Sequence, residues 1–102
     1  IRDRRIMKLW GDIMERKHIQ IFGTVQGVGF RYYTERIANQ YHIKGTVQNV
    51  DDYVEIYAQG EDKELEQFIQ SVIKGASPAS SVSDYNIKNL DIDDSLTEFK
   101  TI

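Results

Sequence analysis

The stretch that most constrains this chain is residues 23–31, where the hydrophobic period changes from two residues to about 3.6. Before it, residues 17–25 alternate between apolar and polar side chains, as in a strand with one buried face. After it, apolar residues recur at helical spacing over 30–41. The stretch itself contains Gly27 and Gly29, which permit backbone angles that are closed to other residues. We therefore predict a strand, a glycine loop and the start of a helix.

A loop of this kind can hold an anion. Successive N–H groups converge in such a loop, and the helix N-terminus adds partial positive charge. Arg31 falls in the predicted first helical turn, where the macrodipole disfavours a cation unless an anion is bound. We hypothesise that the loop holds a phosphoryl group, although the glycine spacing by itself favours a plain turn beside a surface arginine.

A hairpin and a second helix follow. The hairpin is predicted from strands over 45–50 and 53–59, joined by a turn at 51–52. The second helix begins at Asp62, its predicted N-cap, and ends at Gly75. Its apolar residues recur with helical spacing and are Leu65, Phe68, Ile69, Val72 and Ile73.

Two further strands complete the predicted fold. In residues 81–90 the apolar phase slips, which indicates a bulge, and residues 97–102 form a short strand around Phe99. The order β-α-β-β-α-β with a short final strand predicts an α+β, ferredoxin-like sandwich: an antiparallel sheet with both helices on one face. Right-handed crossovers place the first strand at the centre of that sheet.

Composition limits the classes of function. The chain has 102 residues, 40% of them hydrophobic, which suits one small domain with a single core. It has no cysteine, so disulfides, thiolate nucleophiles and Cys-ligated zinc are excluded, and a reducing compartment is favoured. No apolar run approaches the length of a membrane span and no secretory segment is visible. We expect a cytoplasmic monomer without a membrane partner.

Charge is distributed unevenly along the chain. Residues 1–16 carry a net charge of +2, and residues 17–102 carry −5. An acidic body repels nucleic acid, and paired aromatic residues on central strands are missing, so an RNA-binding domain of the same fold is disfavoured. An anion site in such a body has to be local and preorganised.

Residues 1–16 do not belong to the pattern of strands and helices predicted for the rest of the chain. They form an N-terminal extension that resembles a leader or tag. The codons of residues 10–12 can read as a bacterial ribosome-binding site just before Met14. We predict that residues 1–13 are translated leader or tag, and that the natural protein begins at Met14. The alternative is a basic amphipathic arm. The intact mass of the chromosomally expressed protein tests this, because a mass that includes residues 1–13 would contradict it.

Two blocks of sequence carry a family resemblance. Residues 23–31, Gly-Thr-Val-Gln-Gly-Val-Gly-Phe-Arg, resemble the G-x-V-Q-G-V-G-F-R signature of acylphosphatases at every position. Residues 45–49, Gly-Thr-Val-Gln-Asn, resemble the second family block, with the turn at 51–52 and Val-Glu at 54–55 following. The resemblance covers residues 17–102. It implies an acylphosphatase-like domain that hydrolyses acyl phosphates to carboxylate and inorganic phosphate, without metal or other cofactor.

The resemblance also implies roles for individual residues. By motif position, Arg31 is the phosphate-binding arginine and Asn49 orients the attacking water. Backbone N–H groups complete the phosphate cradle, and they belong to Gln26, Gly27, Val28, Gly29 and Phe30. These roles suit the chemistry, because carboxylate is a good leaving group and positioning is most of what remains. The alternative is a non-catalytic module on the same fold that binds phosphate or carbamoyl phosphate.

The chain departs from the family pattern at two positions. Asp52 replaces the usual turn glycine, and Thr46 replaces a large aromatic residue. If position 52 needs a positive φ, aspartate tolerates it less well than glycine, so Asp52→Gly is expected to raise the melting temperature. Thr46 leaves less apolar cover on its sheet face.

Overall fold

The computed structural model describes residues 13–102 of the chain. Residues 1–12, which hold most of the predicted leader, lie outside the described residues. Within 13–102, seven elements follow one another in the predicted order. They are β1 (Met14–Thr24), α1 (Phe30–Gln40), β2 (Lys44–Val50), β3 (Tyr53–Glu61), α2 (Asp62–Ile73), β4 (Ser81–Leu90) and β5 (Phe99–Thr101).

One core lies between the two helices and one face of the sheet. Alternate residues of the strands and one stripe of each helix enter it, as the two periods predict. The buried apolar side chains of these elements include Ile19 and Ile21 of β1, Val54, Ile56 and Ala58 of β3, Phe30 and Ala38 of α1, and Leu65, Phe68, Ile69 and Val72 of α2. Burial on one sheet face confirms the two-layer arrangement.

The sheet has the strand order β4-β1-β3-β2-β5. Four of the strands pair antiparallel, which gives the predicted ferredoxin-like arrangement. β5 instead pairs parallel with β2, so the complete sheet is mixed. β1 is an interior strand between β4 and β3, whereas β3 is the middle strand of the five. Phe99 anchors β5, because its ring packs against Phe68 with the ring centroids 6.0 Å apart.

The predicted irregularity of β4 is confirmed as a bulge against β1. Phe22 pairs with Asp84 but Gly23 pairs with Val82, so one residue of β4 is left over. Gly23 has φ 129, and a Cβ there would lie 2.3 Å from the carbonyl oxygen of Ser81. The bulge therefore needs glycine at position 23, immediately before the loop that joins β1 to α1.

The helices end close to their predicted positions. Asp62 is the first residue of α2 rather than its N-cap; Glu61 is the N-cap, and the Asp62 Oδ1 accepts a hydrogen bond from the N–H of Lys63 at 2.7 Å. The N-cap prediction was wrong by one residue, because Glu61 has the extended backbone of an N-cap, with φ -65 and ψ 145, and Asp62 is already helical. Gly75, with φ 108, follows the end of α2 as predicted. Neither helix within 13–102 combines the length and apolar character needed to cross a membrane.

The turn between β2 and β3 contradicts the premise about position 52. Asp51 has φ 51, whereas Asp52 has no positive φ. The backbone strain is thus at Asp51, the first residue of the turn. The expected rise in melting temperature from Asp52→Gly has no structural basis. Thr46, the other departure, is half-buried and pairs with Tyr57 of β3.

Candidate active site

The loop between β1 and α1 presents open backbone to solvent. Gly27 has φ 75 and Gly29 has φ 79, both in the left-handed region that glycine adopts without strain. Gly29 is the N-cap of α1, where no side chain makes a capping hydrogen bond and no acidic residue occupies the first turn. No atom would lie within 4 Å of a Cβ on Gly27. The uncapped N–H groups and the dipole of α1 therefore form a local site for an anion.

Side chains on either side of the glycines anchor this loop. Phe30 is buried, and Val28 packs against the core. The Nε2 of Gln26 donates two hydrogen bonds, to the carbonyl oxygens of Asp51 at 3.0 Å and Tyr53 at 2.9 Å. The loop is thereby tied to the turn that follows β2. The sequence predicted a backbone role for Gln26 and gave no signal for this side-chain link, which depends on two strands that meet only in the fold.

Arg31 lies in the first turn of α1, as predicted, and is half-buried. Its Nη1 donates a hydrogen bond to the carbonyl oxygen of Ile102 at 3.1 Å. The segment after β5 therefore helps to hold the guanidinium. Periodicity could not reveal this contact, because the two residues are 71 positions apart.

Asn49 is brought to the same place by β2. It is exposed near the end of that strand, where it pairs with Val54 of β3. A cavity of about 400 Å³ is lined by Asn49 together with Gly27, Gly29 and Arg31. Within residues 13–102, the Asn49 side chain makes no hydrogen bond to another protein group. Its amide is thus available to a water or a ligand in the cavity.

The cavity also includes three residues that sequence reasoning missed. Tyr32 and Glu35 of α1 and Thr101 of β5 line it beside Arg31. Tyr32 and Glu35 lie within one helical turn of Arg31, so helical spacing could have found them. Thr101 could not be placed from sequence, because a strand of three residues carries too little pattern to predict parallel pairing.

The charged groups of the sheet do not form a metal site. Among residues 13–102, no three His, Cys, Asp or Glu side chains come together in a way that could hold a metal ion. Glu55 instead lies on the sheet face away from the helices, where its Oε2 is 2.8 Å from the Nε2 of His18. The Gln48 amide donates to its other oxygen at 2.8 Å. This network is separate from the loop.

A comparison with known proteins decides the family. The acylphosphatase family model matches residues 17–101, which include the loop, Arg31 and Asn49. The chain belongs to the acylphosphatase family. Its ferredoxin-like fold is therefore that of a family of hydrolases.

Individual relatives agree with this assignment. An acylphosphatase of Staphylococcus haemolyticus is 62% identical over 89 residues, which are 87% of this chain and 100% of that protein. The crystal structure of an acylphosphatase from Bacillus subtilis gives a TM-score of 0.82 at 34% identity, covering 88% of this chain and 99% of that one. Full-length HypF, in a phosphate- and nucleotide-bound form, gives a TM-score of 0.82 at 31% identity, covering 88% of this chain and 12% of HypF. The predicted family, fold and acylphosphatase activity are confirmed.

Proposed function

We propose that the chain hydrolyses acyl phosphates in the cavity between the glycine loop and β2, with Arg31 and Asn49 as its catalytic residues. The observation that carries this proposal is that both side chains line one cavity with Gly27 and Gly29. The loop would supply phosphate binding by itself. Asn49 on a second element gives the site a group that can act on water.

The phosphoryl group is held by backbone and guanidinium together. N–H groups from Gln26 to Phe30 surround its oxygens at the start of α1, where the helix dipole favours negative charge. Arg31 offers a planar fork that can contact two oxygens at once. The bond to Ile102 uses Nη1, so the fork is held in place before substrate arrives. Such preorganised donors stabilise charge in the transition state.

Asn49 orients the nucleophile. Its carbonyl accepts a hydrogen bond from water and its NH₂ donates, so it can position a water without acting as a base. The water oxygen attacks phosphorus in line with the acyl oxygen, the P–O bond to that oxygen breaks, and carboxylate leaves with the electron pair. One proton of the water passes to a phosphoryl oxygen. No step needs a metal or a covalent enzyme intermediate.

A phosphate-binding module without catalysis is the second candidate. It is motivated by HypF, a much longer protein of which this chain covers 12%. The loop and Arg31 are sufficient for binding phosphate, whereas the position of Asn49 at the same cavity favours hydrolysis. Carbamoyl phosphate is a candidate ligand for such a module.

The deciding experiment is phosphate release from acetyl phosphate in the presence of EDTA. Arg31→Ala is expected to lower kcat/KM by about 10²–10³, the usual cost of one lost oxyanion donor. Lys88→Ala is the matched control, because it removes one positive charge from exposed β4. Near-normal hydrolysis by Arg31→Ala would refute the assignment. Phosphate binding without turnover by the unaltered chain would favour the binding module.

We also propose that the chain acts in the cytoplasm as a monomer. The lack of cysteine is typical of a reducing compartment, and 102 residues are enough for one self-sufficient core. Cell fractionation tests the location. Light scattering tests the oligomeric state, and a mass near twice 11.9 kDa would contradict it.

A further inference from the structure

The cavity that holds Arg31 and Asn49 is also lined by side chains that phosphoryl binding leaves unused. These are Tyr32, Glu35 and Thr101, and the part of the cavity that they line is called the far end. The whole cavity measures about 400 Å³, and a water occupies about 30 Å³ in the liquid, so a phosphoryl group fills a fraction of it. The remaining volume is available to the acyl group of the substrate.

The far end is formed by α1 and β5. Glu35 is one helical turn beyond Arg31, and Thr101 pairs with Val47 of β2. In-line displacement puts the leaving oxygen on the side of phosphorus opposite the attacking water. The loop and Arg31 take the phosphoryl oxygens and Asn49 takes the water, so the far end is the part of the cavity left for the acyl group.

Glu35 brings a negative charge to this end of the cavity. The Thr101 hydroxyl donates to its Oε1 at 2.5 Å, which fixes the orientation of the carboxylate. Elsewhere in residues 13–102, Oε2 has no hydrogen-bond partner and no Lys or Arg nitrogen lies within 4.0 Å of the carboxylate. A second carboxylate placed here on the acyl group would meet the like charge of Glu35, while Arg31, the cation that lines the same cavity, is engaged by the phosphoryl group.

Tyr32 provides the apolar part of the far end. The residue is 60% exposed, and its ring packs nearly perpendicular to the Tyr33 ring with the centroids 5.3 Å apart. The Arg36 guanidinium lies 5.8 Å from the centroid of the Tyr32 ring. Arg36 does not line the cavity. The far end therefore offers an aromatic surface and a negative charge to whatever lies in it.

We infer that the far end is the acyl subsite and that Glu35 is a specificity-determining residue, which selects uncharged acyl groups over acyl groups that carry a carboxylate. This inference rests on the proposed function, because it takes the phosphoryl group to lie between the loop and Arg31. The favoured substrate class is the acyl phosphates of monocarboxylic acids. Acyl phosphates of dicarboxylic acids are disfavoured by the charge of Glu35.

Butyryl phosphate and succinyl phosphate test the inference, since they differ mainly in a terminal methyl group against a terminal carboxylate. The unaltered chain is expected to have the higher kcat/KM on butyryl phosphate. Glu35→Gln is expected to raise the ratio of succinyl to butyryl kcat/KM about fivefold or more, because it removes the charge and keeps an acceptor for Thr101. Glu66→Gln on exposed α2 changes the net charge equally and is expected to leave the ratio unchanged.

Salt gives a second readout that a purely structural role of Glu35 would not move. Raising the ionic strength from 0.01 M to 0.5 M is expected to raise the succinyl-to-butyryl ratio of the unaltered chain more than that of Glu35→Gln, because salt screens the repulsion. An unchanged ratio in Glu35→Gln, with butyryl phosphate still hydrolysed, would overturn the inference and leave the proposed function intact. If the unaltered chain fails to hydrolyse butyryl and acetyl phosphate, the proposed function fails and the inference falls with it.

Discussion

At the scale of single residues, Asn49 is the side chain whose role can be separated from phosphate binding. It lines the cavity from β2, whereas the loop and Arg31, which we propose hold the phosphoryl group, belong to another part of the chain. Asn49→Ala is expected to lower kcat by about 10² while the inhibition constant of inorganic phosphate stays within about twofold. Steady-state kinetics with phosphate as the inhibitor measure both quantities.

The matched control for this prediction is Asn39→Ala, because Asn39 is exposed near the end of α1 and does not line the same cavity. Asn39→Ala is expected to leave kcat and the inhibition constant of inorganic phosphate unchanged. A loss of phosphate affinity that parallels the loss of kcat would instead make Asn49 part of the phosphate cradle.

The turn after β2 offers a test of backbone strain. Asp51 has φ 51, where an L-residue other than glycine is strained. Asp51→Gly relieves this strain but adds freedom to the unfolded chain, so a net gain of up to about 1 kcal/mol is expected. For a domain of this size, such a gain corresponds to a rise of about 4–8 °C in Tm. Thermal unfolding followed by circular dichroism measures it.

Asp52→Gly is the control for that substitution, because Asp52 has no positive φ. It is expected to leave Tm unchanged or to lower it. A larger rise for Asp52→Gly than for Asp51→Gly would mean that strain at Asp51 does not limit stability.

At the scale of elements, the close pairing of β2 with β3 depends on Gly45. This residue has φ 144, and a Cβ on it would lie 1.7 Å from the carbonyl oxygen of Tyr57. Gly45→Ala is expected to lower the free energy of unfolding by about 2–4 kcal/mol, because the two strands have to separate. Urea unfolding measures the loss. In Gly27→Ala the new Cβ would have no atom within 4 Å, so only the positive φ is expected to lower the free energy of unfolding, by about 1–2 kcal/mol. Equal losses in the two variants would contradict a clash at Gly45.

The elements also differ in how well they can be predicted from the sequence. Long amphipathic patterns such as 17–25 predicted their strands and helices, because burial on one side imposes a period. β5 has three residues, so its parallel pairing with β2 carries no comparable pattern. Motif positions predicted Arg31 and Asn49, and the fold brings both to one cavity. Helical spacing from Arg31 could have found Glu35, whereas its hydrogen bond with Thr101 could not be predicted, because that contact depends on β5.

At the scale of the whole molecule, the open face of the sheet makes stability depend on pH. The hydrogen bond with His18 is the largest influence on the Glu55 carboxyl and lowers its pKa; burial opposes this, and the Gln48 amide lowers the pKa further. A carboxyl whose folded pKa lies below the ordinary value of 4.5 stabilises the fold above that pH. This contribution is lost as the pH falls through the folded pKa.

Glu55→Gln removes this contribution. The variant is expected to be less stable than the unaltered chain at pH 7, with the difference narrowing as the pH falls below about 4.5. Urea unfolding at a series of pH values from 7 to 3 measures the two curves. Glu66→Gln, on the exposed surface of α2, is expected to give a curve of unfolding free energy against pH that is parallel to that of the unaltered chain. A constant difference between Glu55→Gln and the unaltered chain would contradict the linkage.

The hydrogen bond from Arg31 to Ile102 also sets an order in time. The two residues are 71 positions apart, so the guanidinium cannot be held until the segment that carries residue 102 has been synthesised and β5 has paired with β2. β5 has only three residues and lies at the edge of the sheet, where pairing is weakest. This contact to the Arg31 guanidinium therefore forms only after the strands on which it depends, and it is lost when the edge of the sheet frays.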